Sequence, residues 1–351
     1  MITDYKWIDD NSELEQLILS LNNTDAVAFD SEFERVNTYY PKPALFQLKI
    51  NNKYFLIDMK KISNHQVFKT LLNNIILHSG SEDLEILHNF NKILPSQVFD
   101  TQIAASLCGY GLHFSYQNIV KELLNVELSK AHSRSDWMRR PLSSDQIQYA
   151  LDDVVYLDEL KNILTTKLVE LNRIEWFEAL TKIRLDSIIN NNHVEKTFVK
   201  IAKAKRLDLP QQQLLFVLLN WREKIAIQRD KPRQWILKND DIVNIIYQRP
   251  SHAQQLISDI GLYPKFVKVN ADSIFELYKT ALELSKDDLP KIHKLNARQG
   301  EKHAKEKEKL KKVCEILGLP PALIINVADL KSLVASGKDL SDLKMWQLIN
   351  E

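Results

Sequence analysis

Short apolar runs separated by turn-forming residues dominate the first part of the chain. The runs at 26–29, 44–50 and 54–57 predict consecutive strands, with Asn51-Asn52-Lys53 as a tight hairpin turn. A helix is expected at 12–21, with Asn11 or Ser12 as its N-cap. Residues 67–72 suit a further helix, 75–77 a buried strand, and 82–89 a helix with Leu84, Leu87 and His88 on one side. Strands first, then alternating helices and strands, imply a mixed sheet flanked by helices: an α/β fold.

From about residue 144 the period becomes that of helices. Ile147, Ala150, Leu151, Val154, Val155, Leu157 and Leu160 form one apolar stripe, and a long helical stretch follows at 176–189. The polar Asn190-Asn191-Asn192 marks a break. Two further helical blocks lie beyond it, parted by Asp287-Asp288-Leu289-Pro290. The expected division is 1–192, 195–285 and 291–351. Only 7 glycines in 351 residues fit a mainly helical C-terminal half.

With 44% apolar and 26% charged residues, the composition is that of a globular chain. No apolar run approaches the ~20 residues of a bilayer span, so no membrane association is expected. The opening MITDYKWIDDNSELEQ lacks the basic-then-apolar order of a secretory signal, so a cytoplasmic location is expected. The two cysteines, Cys108 and Cys314, are too few for a disulfide framework and lack metal-ligand spacing; they read as reduced core residues. There is no G-x-x-x-x-G-K-[ST] loop and no G-x-G-x-x-G, so no nucleotide cofactor is expected.

The net charge of +1 announces no polyanion partner, but the local distribution is uneven. Between 291 and 312 nine Lys/Arg face three Glu, and between 193 and 206 five face one. Such segments attract phosphates, although a Lys/Glu stretch alone reads as a solvated helix face.

Acidic residues supply the candidate chemistry. Asp30 and Glu32 in AFDSEFE lie two apart at the end of a predicted strand, hence on one face. Two carboxylates placed so repel unless a cation sits between them, and hard divalent ions take oxygen ligands. Tyr149 and Asp153 in YALDD lie four apart on a predicted helix and share a face, while Asp152 points elsewhere. Asp83 in HSGSEDLEIL stands near a helix start, where an acid also stabilises the helix dipole. Each feature is common by chance. Their order, D-x-E, then D, then Y-x-x-x-D, each on the expected type of element, is far more specific.

That order, in FDSEFERVNTYYPKPALFQL, HSGSEDLEIL and SDWMRRPLSSDQIQYALDDVVYL, resembles the ribonuclease D family of exonucleases, named for three aspartates, one glutamate and a tyrosine. Asp100-Thr101-Gln102 looks like the family's connecting element, and Tyr149 indicates the tyrosine rather than the histidine branch. Further on, LLFVLLNWREKIAIQRDKPRQWILKNDDIVNIIYQRPS resembles an HRDC domain, with Trp221, Arg222, Ala226, Pro232, Leu237 and Pro250 in pattern. A looser second copy is suggested by LKKVCEILGLPPALIINVADLKSLV.

The resemblance implies a ribonuclease H-like nuclease domain at 1–192, an HRDC domain at 195–285 and a divergent HRDC-like domain at 291–351. It further implies 3′→5′ removal of nucleoside 5′-monophosphates from RNA ends, with precursor tRNA as substrate, by a monomer using two Mg²⁺ or Mn²⁺ ions. Asp30, Glu32, Asp83 and Asp153 would hold the metals, and Tyr149 would complete the catalytic set. Candidate substrate contacts are Phe33, as a wedge against the terminal base, and His78, Arg35 and Arg140. Arg134 and Arg139 are further phosphate candidates, while Trp137 and Trp221 read as core. A DNA 3′→5′ exonuclease and a non-catalytic nucleic-acid-binding scaffold are the alternatives; retention of all four carboxylates disfavours the scaffold.

Overall fold

The computed structural model describes residues 2–21, 26–92, 94–129, 135–190 and 192–350. It divides into two compact units. One comprises Met1–Glu34, Pro41–Asn190 and His293–Glu351; the other comprises Arg35–Tyr40 and Asn191–Ile292.

The first unit is built on a six-stranded mixed sheet: β1 (Lys6–Ile8), β2 (Val27–Glu34), β3 (Lys42–Ile50), β4 (Lys53–Asp58), β5 (Asn74–Leu77) and β6 (Gln97–Asp100). Their order across the sheet is β1-β4-β3-β2-β5-β6. The β2–β3 and β3–β4 pairs are antiparallel, and the other pairs are parallel. Asn51 and Asn52, both at positive φ, make the predicted β3–β4 turn. The β1 and β6 strands were not expected. β2 runs through Glu34 rather than ending at Phe29, because an antiparallel partner in β3 carries it on.

Strand alternation sorts the side chains between two faces. Phe29, Phe46 and Leu48 pack with Leu14, Phe68, Leu84 and Leu87 in one core. Ala28 and Ile76 face the opposite way, toward Leu157, Leu160 and Leu164, and Leu45 and Leu56 pack on Ala150 and Leu151. Helix Asn11–Leu19 is capped by Asp10, not by Asn11 or Ser12. The expected single stripe from Ile147 to Leu160 bends at Tyr156 into two helices, Ser144–Val155 and Leu157–Glu170.

Helix Ser81–Asn91 starts hard against β5. A Cβ at Gly80 would lie 2.4 Å from the Leu77 side chain, so any larger residue there would force Leu77 to move. Asp100 ties this start down. It accepts hydrogen bonds from the Ser79 and Gly80 amides while capping helix Thr101–Leu107 at Gln102 and Ile103.

The C-terminal helices of the first unit carry a core of their own, including Leu310, Cys314, Leu330, Val334 and Trp346. Leu319 and Met345 pack with Trp176, Phe177 and Leu180. Arg173 donates to the Leu317 carbonyl at 2.7 Å and the Trp176 indole to the Leu348 carbonyl at 3.1 Å. The basic stretch is helix Ala297–Leu317, where Leu310 and Cys314 are the buried residues. Lys311–Glu315 and Lys312–Glu308 pairs line its solvated face.

The second unit is helical: His193–Lys205, Leu209–Arg229, Asn239–Gln248, Ala253–Ser258 and Pro264–Glu283 surround Phe198, Leu214, Leu218, Ile242, Leu256 and Ile274. Trp221 packs edge-on to Phe266, as a core residue should. The 35–40 segment belongs to this unit through Tyr39. Its hydroxyl donates to Glu223 and accepts from Arg233, and the Arg233 guanidinium lies 4.4 Å from the Tyr39 ring centroid.

Replacing Asp100 by Ala removes a cap and strands buried amides, so the first unit should lose about 2 kcal/mol. Denaturant unfolding followed by near-ultraviolet circular dichroism checks this; an unchanged midpoint contradicts it.

Candidate active site

The carboxylates come together from three stretches of chain. Asp30 and Glu32 sit on one face of β2, and helix Ser144–Val155 brings Asp153 over them. One oxygen from each of the three lies within 4.8 Å of the others. Such a trio of hard oxygen donors fits a divalent cation. Asp83, in the first turn of Ser81–Asn91, stands outside that trio but within electrostatic reach of Asp30 and Glu32. It is 8% exposed and accepts a hydrogen bond from Ser31, the residue between the two β2 acids.

The electrostatics follow from crowding in a low-dielectric place. Burial, then Asp83, Asp153 and Glu32, raise Asp30 well above the usual carboxylate range. Burial, followed by Asp153 and Asp83, pushes Glu32 up to about 9. Burial likewise lifts Asp153 to about 7, against the lowering effect of a hydrogen bond from Tyr149, and Asp83 to about 6, against the Ser31 bond. Tyr149 is raised too, first by burial and then by Asp153, Glu32 and Asp30. Its hydroxyl donates to Asp153, and its ring lies 6.0 Å from that of Trp137, which is buried.

The structure treats the other candidates differently. Arg140 has five N–H donors, and all are engaged: Nε and Nη2 on Asp58, Nη2 also on Ala44 O, and Nη1 on Trp137 O and Arg139 O. In this structure those five contacts hold Arg140 against Asp58 and the loop before helix Ser144–Val155. His78 is likewise engaged. Nε2 donates to the Phe114 carbonyl at 2.9 Å, and Nδ1 lies 2.9 Å from the Thr101 hydroxyl, whose own proton goes to the Leu77 carbonyl. Burial also lowers its pKa, favouring the neutral ring. Phe33 is partly buried against the β2–β3 core, just after a register shift between Glu32 and Phe33. Arg35 and Arg139 are exposed, Arg35 in the second unit. Arg134 and Asn191 lie outside the described residues.

Sequence reasoning passed over Gln47. It is 0% exposed, and neither its Oε1 nor its Nε2 has a hydrogen-bond partner among the described residues. It pairs directly across the strands with Asp30.

Residues 5–169 match the 3′–5′ exonuclease family and 211–278 the HRDC domain, so the sheet with its acidic cluster is the nuclease part of a 3′→5′ exonuclease. Ribonuclease D of Xanthomonas oryzae pv. oryzae is 34% identical over 280 residues, 79% of this chain and 77% of that protein. Ribonuclease D of Haemophilus influenzae is 34% identical over 298 residues, 82% and 73% respectively. The crystal structure of Escherichia coli RNase D, described as an exoribonuclease involved in structured RNA processing, matches at TM-score 0.88 and 25% identity over 99% of this chain and 98% of that one. This chain belongs to the ribonuclease D family and is a hydrolytic 3′→5′ exoribonuclease. Among the described residues no helix is long and apolar enough to cross a membrane.

Two outcomes follow. The raised carboxylates favour the folded, cation-free protein only while protonated. Their stabilising effect is complete below the unfolded values near 4 and is lost as pH rises through about 6, 7 and 9. The melting temperature of chelator-treated protein should therefore fall between about pH 4 and 9, and Mn²⁺ should raise it more at the upper end. A Mn²⁺ effect independent of pH contradicts this. Arg140→Ala leaves Asp58, 3% exposed, without its cation. It should cost about 3 kcal/mol while the RNA Kd stays unchanged; a weakened Kd with unaltered stability supports the phosphate role.

Proposed function

We propose that the cluster holds a pair of Mg²⁺ or Mn²⁺ ions and trims the 3′ ends of RNA, releasing nucleoside 5′-monophosphates. The observation that carries this is the convergence of Asp30, Glu32 and Asp153 within 4.8 Å, with Asp83 beside them. Asp30, in the middle of the group, would serve both ions. Glu32 and Asp153 would hold the one on the attacking side, and Asp83 would back the second. Bound there, the ions supply an acidified nucleophile and neutralise charge at the leaving 3′ oxygen.

The chain's own groups do the positioning. Tyr149 stays a neutral phenol, because burial and three carboxylates oppose its ionisation. It is thus no general base. With its proton donated to Asp153, its oxygen lone pairs remain to accept from the attacking water and so aim it. The HRDC domain at 195–285 and the divergent helical region at 291–351 would add phosphate contacts along the RNA. Precursor tRNA with a 3′ extension is the proposed substrate, in keeping with the structured RNA processing ascribed to the E. coli enzyme, and the cytoplasm is the proposed location.

Incubation of 3′-extended tRNA and matched single-stranded DNA with Mg²⁺ or Mn²⁺ tests this. Nucleoside 5′-monophosphates released stepwise from the tRNA are expected; preference for the DNA, or turnover in excess chelator, contradicts it. Tyr149→Phe should lower kcat by about 100-fold with little change in KM for RNA. A raised KM at unchanged kcat would show that Tyr149 binds substrate instead.

A further inference from the structure

Gln47 is a polar residue sealed inside the sheet–helix layer. Its side chain is 0% exposed, and both ends of the amide lack a partner among the described residues. Buried amides are almost always hydrogen-bonded, because a group removed from water and left unpaired is costly. One in this position calls for a reason.

Register supplies the neighbours. On β3, Phe46 and Leu48 point into the core with Phe29, so Gln47 points to the other face, as Leu45 does. Directly opposite on β2 stands Asp30, and directly opposite on β4 stands Leu56. Facing residues of antiparallel strands have Cβ atoms about 5 Å apart on one side of the sheet. The helix above contributes Ala150 and Leu151, which are apolar. Lys49, two residues along the same face, is committed to the Val155 carbonyl at 2.7 Å and to Asp158 at 3.1 Å. Of its two cross-strand partners, Asp30 and Leu56, only Asp30 carries a side-chain acceptor that a Gln47 amide can serve, and in this structure no bond joins the two.

The chemistry suits that role. An ammonium or guanidinium in this place would neutralise Asp30 and compete with cations for it. A glutamine donates through N–H with no charge, so it orients the carboxylate and leaves its negative charge to the metal. Full burial keeps the amide away from the substrate. We propose that Gln47 is a positioning residue: its amide fixes the orientation in which Asp30 serves the ions. This rests on reading the acidic cluster as an ion site.

Gln47→Met keeps the side-chain volume and removes the polar atoms, so in the full-length protein it separates the two ideas. Chelator-treated Gln47→Met should melt no lower than the parent, since it removes an unpaired buried amide. By calorimetric titration its Mn²⁺ affinity should fall about tenfold, the size typical of losing an outer partner of a metal ligand. In RNA hydrolysis, kcat should drop while KM holds. Mn²⁺ affinity equal to the parent's overturns the inference while leaving the ion site standing. Failure of the parent itself to bind Mn²⁺ overturns both. Should Gln47→Met fail to fold, ¹⁵N-glutamine-labelled parent gives the answer: the Gln47 side-chain amide resonances are expected to shift and gain exchange protection on Mg²⁺ addition. Unmoved resonances overturn the inference.

Discussion

Mutual repulsion among Asp30, Glu32, Asp83 and Asp153 is the constraint around which the nuclease unit is organised. Asp83, Asp153 and Glu32 each raise the cost of ionising Asp30, and burial adds the largest share at all four. A fold seeking stability alone would scatter such groups over its surface. Here they are held together by elements anchored elsewhere: a strand hydrogen-bonded on both edges, a helix packed on Ala150, Leu151 and Val154, and a helix start locked against Leu77. The strain is relieved when positive charge arrives, which makes the group a receptor for cations.

The surrounding polar residues serve this arrangement without taking part in it. Asp100 gathers four backbone amides from two helix starts and so fixes where Asp83 stands. His78 bridges Thr101 and the Phe114 carbonyl. Arg140 joins Asp58 at the end of β4 to the loop before helix Ser144–Val155, the element that carries Tyr149 and Asp153. An arginine with five satisfied donors is a rigid strut.

Much of this was legible in the sequence, and the limits have physical causes. Asp30 and Glu32 could be placed on one face because the strand period is two. Tyr149 and Asp153 could be paired because residues four apart on a helix share a side. Strands β1 and β6, of 3 and 4 residues, are too short to show alternation. The end of β2 was set too early because its polar half is held by pairing with β3, a non-local effect. The internal bonds of His78 and Arg140 were not legible because side-chain saturation is tertiary information. Gln47 drew no notice because ALFQLKI reads as a buried strand interrupted only by Gln47 and Lys49, and only cross-strand register sets Gln47 opposite Asp30.

Crystals grown with Mn²⁺ reveal whether Asp30, Glu32, Asp83 and Asp153 cage a pair of cations. Anomalous difference maps should show two peaks, both against Asp30, one also touching Glu32 and Asp153 and the other on the side of Asp83. A protein that hydrolyses RNA in the same Mn²⁺ buffer yet shows no anomalous density beside Asp30 would contradict the account.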